Sequence, residues 1–145
     1  PHPFDQATAD RLCVTLNYAE TMPWIATAAP AGREEVIAYF ILVLGISEAE
    51  SKRYAALGIS LDPQQDCTLA PSVADAFQNV GLGSLLVRHL IEMARRLGRQ
   101  RMVLMGGVYV SNARAVYFYQ KHGFRQVGSF ESLPGAPSYD MILEL

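Results

Sequence analysis

The chain has 145 residues and a formal net charge of −2, and half of its residues are hydrophobic. This length and composition are typical of one folded globular domain, and a net charge near zero argues against the basic stripe that nucleic-acid binding needs. We expect a cytoplasmic location and no membrane partner, because the sequence has neither an apolar run of about 18 residues nor a signal-peptide pattern.

The first half of the chain predicts alternating helices and strands. The predicted elements are a helix that Asp5 caps and that runs to Leu16, strands at 24–29 and 36–44, a helix between Ser47 and Gly58, and a strand at 67–74. Ser47 and Glu50 have the spacing of a capping box, and Gly58 is a typical helix stop. Pro71 lies within the third strand, where a proline cannot donate to the ladder. We therefore expect a bulge there, or a strand that separates from its neighbour.

The second half of the chain predicts two further helices and three strands. The predicted elements are a helix at 81–97, a strand at 101–105, a helix from Ser111 or Asn112 to about His122, and strands at 124–130 and 139–144. The first of these helices carries one apolar stripe, formed by Leu82, Leu86, Leu90, Met93 and Leu97. Gly98 and Gly123 stop the two helices.

Two glycines, Gly81 and Gly83, lie one residue apart between the third strand and the predicted helix. Glycine permits a sharp turn and a close approach of the main chain to a ligand. The first amides of a helix have no intrahelical partner and lie at the positive end of its dipole, so this turn predicts a site for a phosphorylated cofactor. A dinucleotide fingerprint fits poorly, because Leu86 stands where the third glycine would be.

A second motif follows about thirty residues later, and the two motifs together resemble the GNAT superfamily of acetyl-coenzyme A dependent N-acyltransferases. The family's Q/R-x-x-G-x-G/A turn matches residues 78–83 of this chain. Its N-x-x-A-x-x-x-Y-x-x-x-G-F stretch matches at Asn112, Ala115, Tyr119, Gly123 and Phe124. The resemblance implies an α/β fold whose mixed, largely antiparallel sheet has split central strands and helices on both faces, and whose N-terminal strand is absent here.

The resemblance also implies which residues bind the coenzyme. The main chain around Ser72 and Val73 would pair with the pantetheine arm, and the amides of the glycine turn would face the pyrophosphate. Asn112 would contact the arm, and the Tyr119 hydroxyl would lie near the thioester sulfur. The implied cofactor-binding set is Ser72, Val73, Gln78, Val80, Gly81, Leu82, Gly83, Ser84, Asn112 and Tyr119.

The implied reaction is direct attack of a primary amine, on a small molecule or a protein lysine, on the thioester of acetyl-coenzyme A. Tyr119 would be the acid that protonates the leaving thiolate, and the Val73 amide would stabilise the oxyanion. Many family members carry a glutamate on the strand before the glycine turn, and this chain has none there. Asp66 is one candidate for the general base, and a water relay is the other.

Several alternatives stay open. The missing glutamate favours a domain that binds acyl-coenzyme A without catalysis, whereas Tyr119 and Asn112 argue against it. A purely structural or interaction domain is the other alternative, and it would bind no coenzyme A. Four arginines (Arg95, Arg96, Arg99 and Arg101) form either a solvated face or a contact for the 3′-phosphate of the coenzyme. The absent N-terminal strand indicates either a truncated domain, spanning residues 1–145, or a homodimer that covers the open edge. Cys13 and Cys67 have no Cys or His neighbours at ligand spacing, so we expect no metal.

Overall fold

The computed structural model describes residues 16–29 and 32–145. Within these residues it has seven strands and three α-helices: β1 (Thr21–Ala28), β2 (Glu35–Val43), α1 (Glu48–Ala56), β3 (Asp66–Val73), α2 (Leu82–Arg96), β4 (Arg101–Leu104), β5 (Val108–Tyr109), α3 (Ala113–Lys121), β6 (Arg125–Leu133) and β7 (Ala136–Glu144). The predicted helix at Asp5 lies outside the described residues. All other predicted elements are present, and β5 is an addition that the sequence did not indicate.

The strands form one sheet in the order β1-β2-β3-β4-β7-β5, and β6 also pairs with β7. The β3–β4 pair is parallel, and the other pairs are antiparallel. The predicted mixed, largely antiparallel sheet is therefore confirmed. None of the helices in the described ranges is long and apolar enough to cross a lipid bilayer.

Helices cover both faces of the sheet, as predicted. Successive side chains of a strand point to opposite faces, and in β4 Met102 and Leu104 pack in one buried cluster while Val103 packs in another. The first cluster includes residues of α2 and α3, and the second includes Tyr54 of α1. The Tyr54 hydroxyl also donates a hydrogen bond of 2.9 Å to the Met141 carbonyl oxygen, which attaches α1 to β7.

The buried face of α2 differs from the predicted stripe. Its fully covered residues are Val87, Leu90, Ile91 and Ala94, whereas Leu97 at the end of the predicted stripe is 46% exposed. Apolar residues occupy more than one side of this helix, and the sheet covers only one of them. Periodicity alone therefore placed the buried face about one residue away from its true position.

The two central strands separate partway along their length. Parallel pairing of β3 with β4 runs from Asp66 and Arg101 to Leu69 and Leu104. The Met105 amide then donates to the Leu69 carbonyl oxygen at 2.9 Å, and the chain turns away from β3. Strand β3 continues to Val73 with only β2 beside it. The expected strand separation near Pro71 is thus confirmed, and it leaves residues 70–73 with an open edge.

An ion pair anchors the other end of these strands. Asp66 is completely buried, and its carboxylate accepts hydrogen bonds from Arg101 Nε at 2.9 Å and Arg101 Nη2 at 2.6 Å. The Asp62 amide donates to the same carboxylate at 2.7 Å. This buried carboxylate stabilises the fold only while all three donors are in place, because the loss of one partner leaves an uncompensated buried charge.

Asp66→Asn is expected to lower the free energy of unfolding by about 2–4 kcal/mol, because it removes the charge that Arg101 pairs with. Urea unfolding followed by circular dichroism measures this loss. Glu92→Gln is the matched control, since it removes an exposed ion pair with Arg96 and should cost less than about 1 kcal/mol. Equal losses in the two variants would contradict a structural role for Asp66.

Candidate functional site

A cleft of about 610 Å³ opens where β3 and β4 separate. Three parts of the chain line it: the end of β3, the glycine turn with the start of α2, and one face of α3. The lining residues that the sequence predicted are Ser72, Val73, Gln78, Gly81, Gly83, Ser84, Asn112 and Tyr119. The fold therefore brings eight of the ten predicted binding residues to one cleft.

The open edge of β3 presents main-chain polar groups to this cleft. In an antiparallel pair, hydrogen-bonded positions alternate with positions whose N–H and C=O point the other way. The Ala74 amide donates to the Ile37 carbonyl oxygen at 2.9 Å, so Ala74 is a position that faces β2. By this alternation the main-chain groups of Pro71 and Val73 face away from β2, toward the side that β4 has left.

This alternation explains why a proline is tolerated within β3. Pro71 has no N–H to donate, and its nitrogen occupies a position that points away from β2. No hydrogen bond of the β2–β3 ladder is lost. The Val73 amide, two residues further on, points in the same direction and is a donor that faces the cleft.

The glycine turn leads into α2 with an uncapped helix start. Gly81 is the N-cap residue with a φ of 89°, a left-handed conformation that favours glycine, and no side chain caps the first turn. The amides of the first turn therefore remain available to an anion. At Gly83 an added Cβ would lie 3.6 Å from both the Phe118 ring and a Val73 methyl group, so α2 and α3 pack closely at this point.

Gln78, the first residue of the turn motif, has a positioning role. Its side-chain nitrogen donates to the Val73 carbonyl oxygen at 2.8 Å and to an Asp75 carboxylate oxygen at 2.8 Å. These two bonds tie the end of β3 to the turn that follows it. The glutamine thus fixes the distance between the open strand edge and the helix start.

Asn112 and Tyr119 place α3 against the cleft. The Asn112 side chain caps the helix, since its Oδ1 accepts from the Ala115 amide at 3.1 Å. Tyr119 is 8% exposed, and its ring packs edge-on against Phe118 and Phe124. Burial raises the pKa of the Tyr119 phenol above its ordinary value, so this side chain keeps its proton at neutral pH.

A hydrogen bond joins the two helices at the cleft. Ser84 Oγ, in the first turn of α2, lies 3.1 Å from Nε2 of His122 at the end of α3. Burial lowers the pKa of His122 below its ordinary value, and the nearby charges of Lys121 and Arg88 lower it further. The imidazole is therefore neutral at pH 7 and holds the end of α3 beside the start of α2.

Asp66 is not at the cleft, which corrects the prediction that it acts as the general base. It lies at the opposite end of β3 from Val73, a separation of roughly 23 Å along an extended strand. Its carboxylate is buried and already bonded to Arg101 and the Asp62 amide. The sequence showed a carboxylate on the correct strand, but not the distant arginine that holds it.

The two remaining predicted binding residues, Val80 and Leu82, do not line the cleft with their side chains, and Val80 is 71% exposed. Eight lining residues lie outside the predicted binding set: Phe40, Pro71, Asn79, Arg114, Ala115, Tyr117, Phe118 and Lys121. Arg114, Tyr117, Phe118 and Lys121 share one face of α3, because positions three, four and seven residues apart align on a helix. That spacing is visible in the sequence and was the signal that could have identified them.

The arginines considered for the 3′-phosphate lie far from the glycine turn. Arg95 and Arg96 are at the last turn of α2, about 20 Å along the helix from Leu82. Arg101 is bonded to Asp66, and Arg99 donates to the Gln64 carbonyl oxygen at 2.5 Å. Arg96 pairs with Glu92. The geometry rules these four out as contacts for a phosphate at the glycine turn.

Comparison with known proteins agrees with this architecture. Residues 54–124 match the family model described as the acetyltransferase (GNAT) family. The uncharacterized N-acetyltransferase YdgE of Bacillus subtilis is 33% identical over 99 residues, which cover 66% of this chain and 60% of YdgE. The chain thus spans about three fifths of this curated relative.

Two solved structures share the fold. A GCN5-related N-acetyltransferase from Kribbella flavida superimposes with a TM-score of 0.69 at 19% identity, covering 97% of this chain and 77% of its own. The aminoglycoside enzyme AAC(6')-Ib, in complex with ribostamycin and coenzyme A, gives a TM-score of 0.63 at 22% identity. This match covers 86% of the present chain and 64% of the AAC(6')-Ib chain. Both sequence motifs, the split strands and these matches agree, and they show that the chain is similar to the GNAT family of acetyltransferases.

Proposed function

We propose that this chain transfers an acetyl group from acetyl-coenzyme A to a primary amine of a small molecule or a protein lysine, by direct attack. One observation carries the proposal. The open edge of β3, the uncapped start of α2 and the buried phenol of Tyr119 all line one cleft. The AAC(6')-Ib structure, which shares the fold, is a complex with coenzyme A and ribostamycin. A cytoplasmic location and a homodimer stay predictions.

The cleft offers separate sites for the two halves of the coenzyme. The amides from Val80 to Ser84 surround the start of α2, where free N–H groups and the helix dipole favour the pyrophosphate. The pantetheine arm contains two amides, and it can pair with the open edge of β3 as an added strand. Asn112, at the start of α3, lines the same cleft and offers a side-chain amide to the arm.

This placement positions the thioester for attack by the amine. The nitrogen lone pair forms a bond to the carbonyl carbon, and the carbonyl oxygen takes the negative charge of the tetrahedral intermediate. The Val73 amide faces the cleft and is the donor that stabilises this oxyanion. Collapse of the intermediate breaks the carbon–sulfur bond and releases the coenzyme thiolate. Holding both reactants in one cleft supplies much of the acceleration.

Tyr119 stabilises the leaving sulfur. Its raised pKa lies above that of a thiol, about 8.5, so complete transfer of its proton would leave a buried phenolate. The phenol therefore donates a hydrogen bond to the sulfur, and it gives its proton to the thiolate only while it takes up another proton from solvent. The nitrogen of the tetrahedral intermediate must lose a proton in the same reaction, and this proton reaches the phenol through solvent.

The amine reaches its neutral form without a carboxylate in the cleft. None of the described residues that line it is an aspartate or a glutamate, and His122 contributes only its bond to Ser84. We infer that water takes the proton of the amine. This is the water relay that the sequence left open beside Asp66.

Gly83→Asp is expected to weaken coenzyme A binding by about 100-fold or more, because a carboxylate at the start of α2 repels the pyrophosphate and occupies its place. Isothermal titration calorimetry measures the affinity. Gly83→Ala is the matched control, since its Cβ meets only ordinary contacts at 3.6 Å. If the aspartate variant folds and binds like the wild type, the pyrophosphate does not lie at this turn.

Tyr119→Phe is expected to lower kcat by about 100-fold while the affinity for coenzyme A changes little, because the ring keeps its packing and only the hydroxyl is lost. Thiol release from acetyl-coenzyme A with a panel of amines measures turnover. Tyr109→Phe, at an exposed tyrosine outside the cleft, is the control. Full activity of the Tyr119 variant would show that solvent protonates the thiolate. Tight binding by the wild type with no thiol release on any amine would favour the non-catalytic binding domain.

The value of kcat/KM for a lysine-like amine is expected to rise about tenfold per pH unit between about pH 6 and 9. The neutral fraction of the amine grows tenfold with each unit below its pKa of ~10.4, and no group in the cleft replaces water as the base. Burial lowers the pKa of His122 below its ordinary value, so titration of this imidazole does not produce a rise that continues above pH 7. A plateau that begins near pH 7 would contradict this mechanism and require a base on the protein.

A further inference from the structure

Ser84 presents two hydrogen-bond donors at the start of α2. The Leu85 amide donates to the Gly81 carbonyl oxygen at 3.0 Å, which is the first bond of the helix ladder. The Ser84 amide, one residue earlier, therefore has no intrahelical partner. Ser84 also lines the cleft and carries a hydroxyl. An anion held at this helix start thus meets a main-chain donor and a side-chain donor of the same residue.

The direction in which the Ser84 hydroxyl donates depends on His122. Within the described part of the chain, the partner of Ser84 Oγ is Nε2 of His122 at 3.1 Å. A serine hydroxyl has one hydrogen, so it can donate to a ligand only while Nε2 donates to its oxygen. His122 lies behind Ser84 and does not line the cleft itself. Its effect on a ligand is therefore exerted through the serine.

The electrostatic surroundings of His122 are positive. Among the described residues, the charged groups that act on it are Lys121, its neighbour in α3, and Arg88 of α2. Arg88 Nε donates to the Ser84 carbonyl oxygen at 3.2 Å, which keeps this cation at the same turn. The Phe118 ring, 4.8 Å from the imidazole between centroids, is uncharged. Burial and the two cations therefore keep the imidazole neutral at pH 7 in the free protein.

A pyrophosphate at the start of α2 would reverse this balance. Its negative charge favours the imidazolium, since an opposite charge within a few ångströms stabilises the charged form of a group. An imidazolium carries hydrogen on both ring nitrogens, so Nε2 then always donates to Ser84 Oγ. The same protonation that answers the charge of the ligand thus also turns the serine hydroxyl into a donor toward it.

We propose that His122 is a positioning residue for the pyrophosphate of the coenzyme: it donates from Nε2 to Ser84, the Ser84 hydroxyl donates to the phosphate, and the imidazole takes up a proton from solvent as the carrier binds. The inference rests on the proposed function, because it requires the pyrophosphate at the start of α2. It adds a dependence of coenzyme affinity on pH that main-chain amides alone would not produce.

Binding should become tighter as the pH falls. The gain in affinity is complete below the lowered pKa of His122 in the free protein, and it is lost as the pH rises through the higher pKa of the complex. A nearby opposite charge raises a pKa by about one unit or more, which corresponds to about a tenfold change in Kd. We therefore expect the Kd of the wild type to be about tenfold lower at pH 5 than at pH 7.5.

Calorimetry with 3′-dephospho-coenzyme A measures this dependence, because that carrier lacks the phosphate monoester, whose second pKa of about 6 lies in the same range. His122→Gln is the decisive variant, since its side-chain amide can still donate to Ser84 but does not titrate. It should bind as the wild type does at pH 7.5, and its Kd should change by less than about twofold down to pH 5. The same tenfold dependence in this variant would overturn the proposal.

His89→Gln is the matched control. His89 is an exposed histidine of α2 whose ring packs edge-on against Trp24, and it does not line the cleft. This variant should keep the tenfold dependence of the wild type on pH. Loss of the dependence in the His89 variant would assign it to another group and overturn the role of His122.

A double-mutant cycle tests whether His122 acts through Ser84. His122→Leu cannot donate, so its Kd at pH 7.5 should be about fivefold higher than that of His122→Gln. In a Ser84→Ala background the same two variants should differ by less than about twofold. An equal difference in both backgrounds would overturn positioning through the serine. A wild type that binds equally at both pH values would overturn this inference alone, whereas a folded wild type that binds at neither would overturn the proposed function.

Discussion

The point at which β3 and β4 stop pairing is the constraint on which the site depends. Beyond Leu69 and Leu104, strand β3 keeps one neighbour, and the main-chain groups on its other side need partners. Unpaired N–H and C=O groups are costly in a dry core, so the gap between the strands has to hold water or a ligand. A cleft at this position follows from the strand pairing itself, before any side chain is considered.

The surrounding residues keep the strands apart. After β4 the chain turns through Gly106 and Gly107, whose φ angles are 66° and 70°. A Cβ on Gly107 would lie 2.6 Å from the Tyr139 carbonyl oxygen, so only glycine allows this turn to pack on β7. On the other side, Gln78 holds the end of β3 to the glycine turn through Val73. The open edge is thus supported from both sides.

Local signals in the sequence were sufficient for the elements and for most of the cleft. Ser47 with Glu50, and Asn112 at α3, are caps that act within four residues, and their helices begin where predicted. Pro71 indicated the open edge because a proline has no N–H to donate, so its nitrogen must lie on a side of the strand without a hydrogen-bonded neighbour. The family resemblance then supplied the roles of residues that the local signals had placed.

Other features could not be predicted, because they depend on residues that are distant in the chain. In the sequence Asp66 was a candidate general base, but in the fold its carboxylate is bonded to Arg101, which lies 35 positions away in the chain. The predicted apolar stripe of α2 differs from its buried face, because several sides of the helix are apolar and only the fold determines which one packs on the sheet. Arg114 and Lys121 have helical spacing in the sequence, but only the strand separation shows that their side of α3 faces a cleft.

The absence of a carboxylate from the described cleft lining has a consequence for the acceptor. If water alone deprotonates the amine, the fraction that is already neutral sets the rate. At pH 7 an α-amine with a pKa near 7.8 has roughly 300 times the neutral fraction of a lysine with a pKa of ~10.4. The weaker nucleophilicity of the less basic amine offsets part of this difference. The proposed mechanism therefore favours acceptors of lowered basicity, or a lysine whose neighbours lower its pKa, over an ordinary exposed lysine.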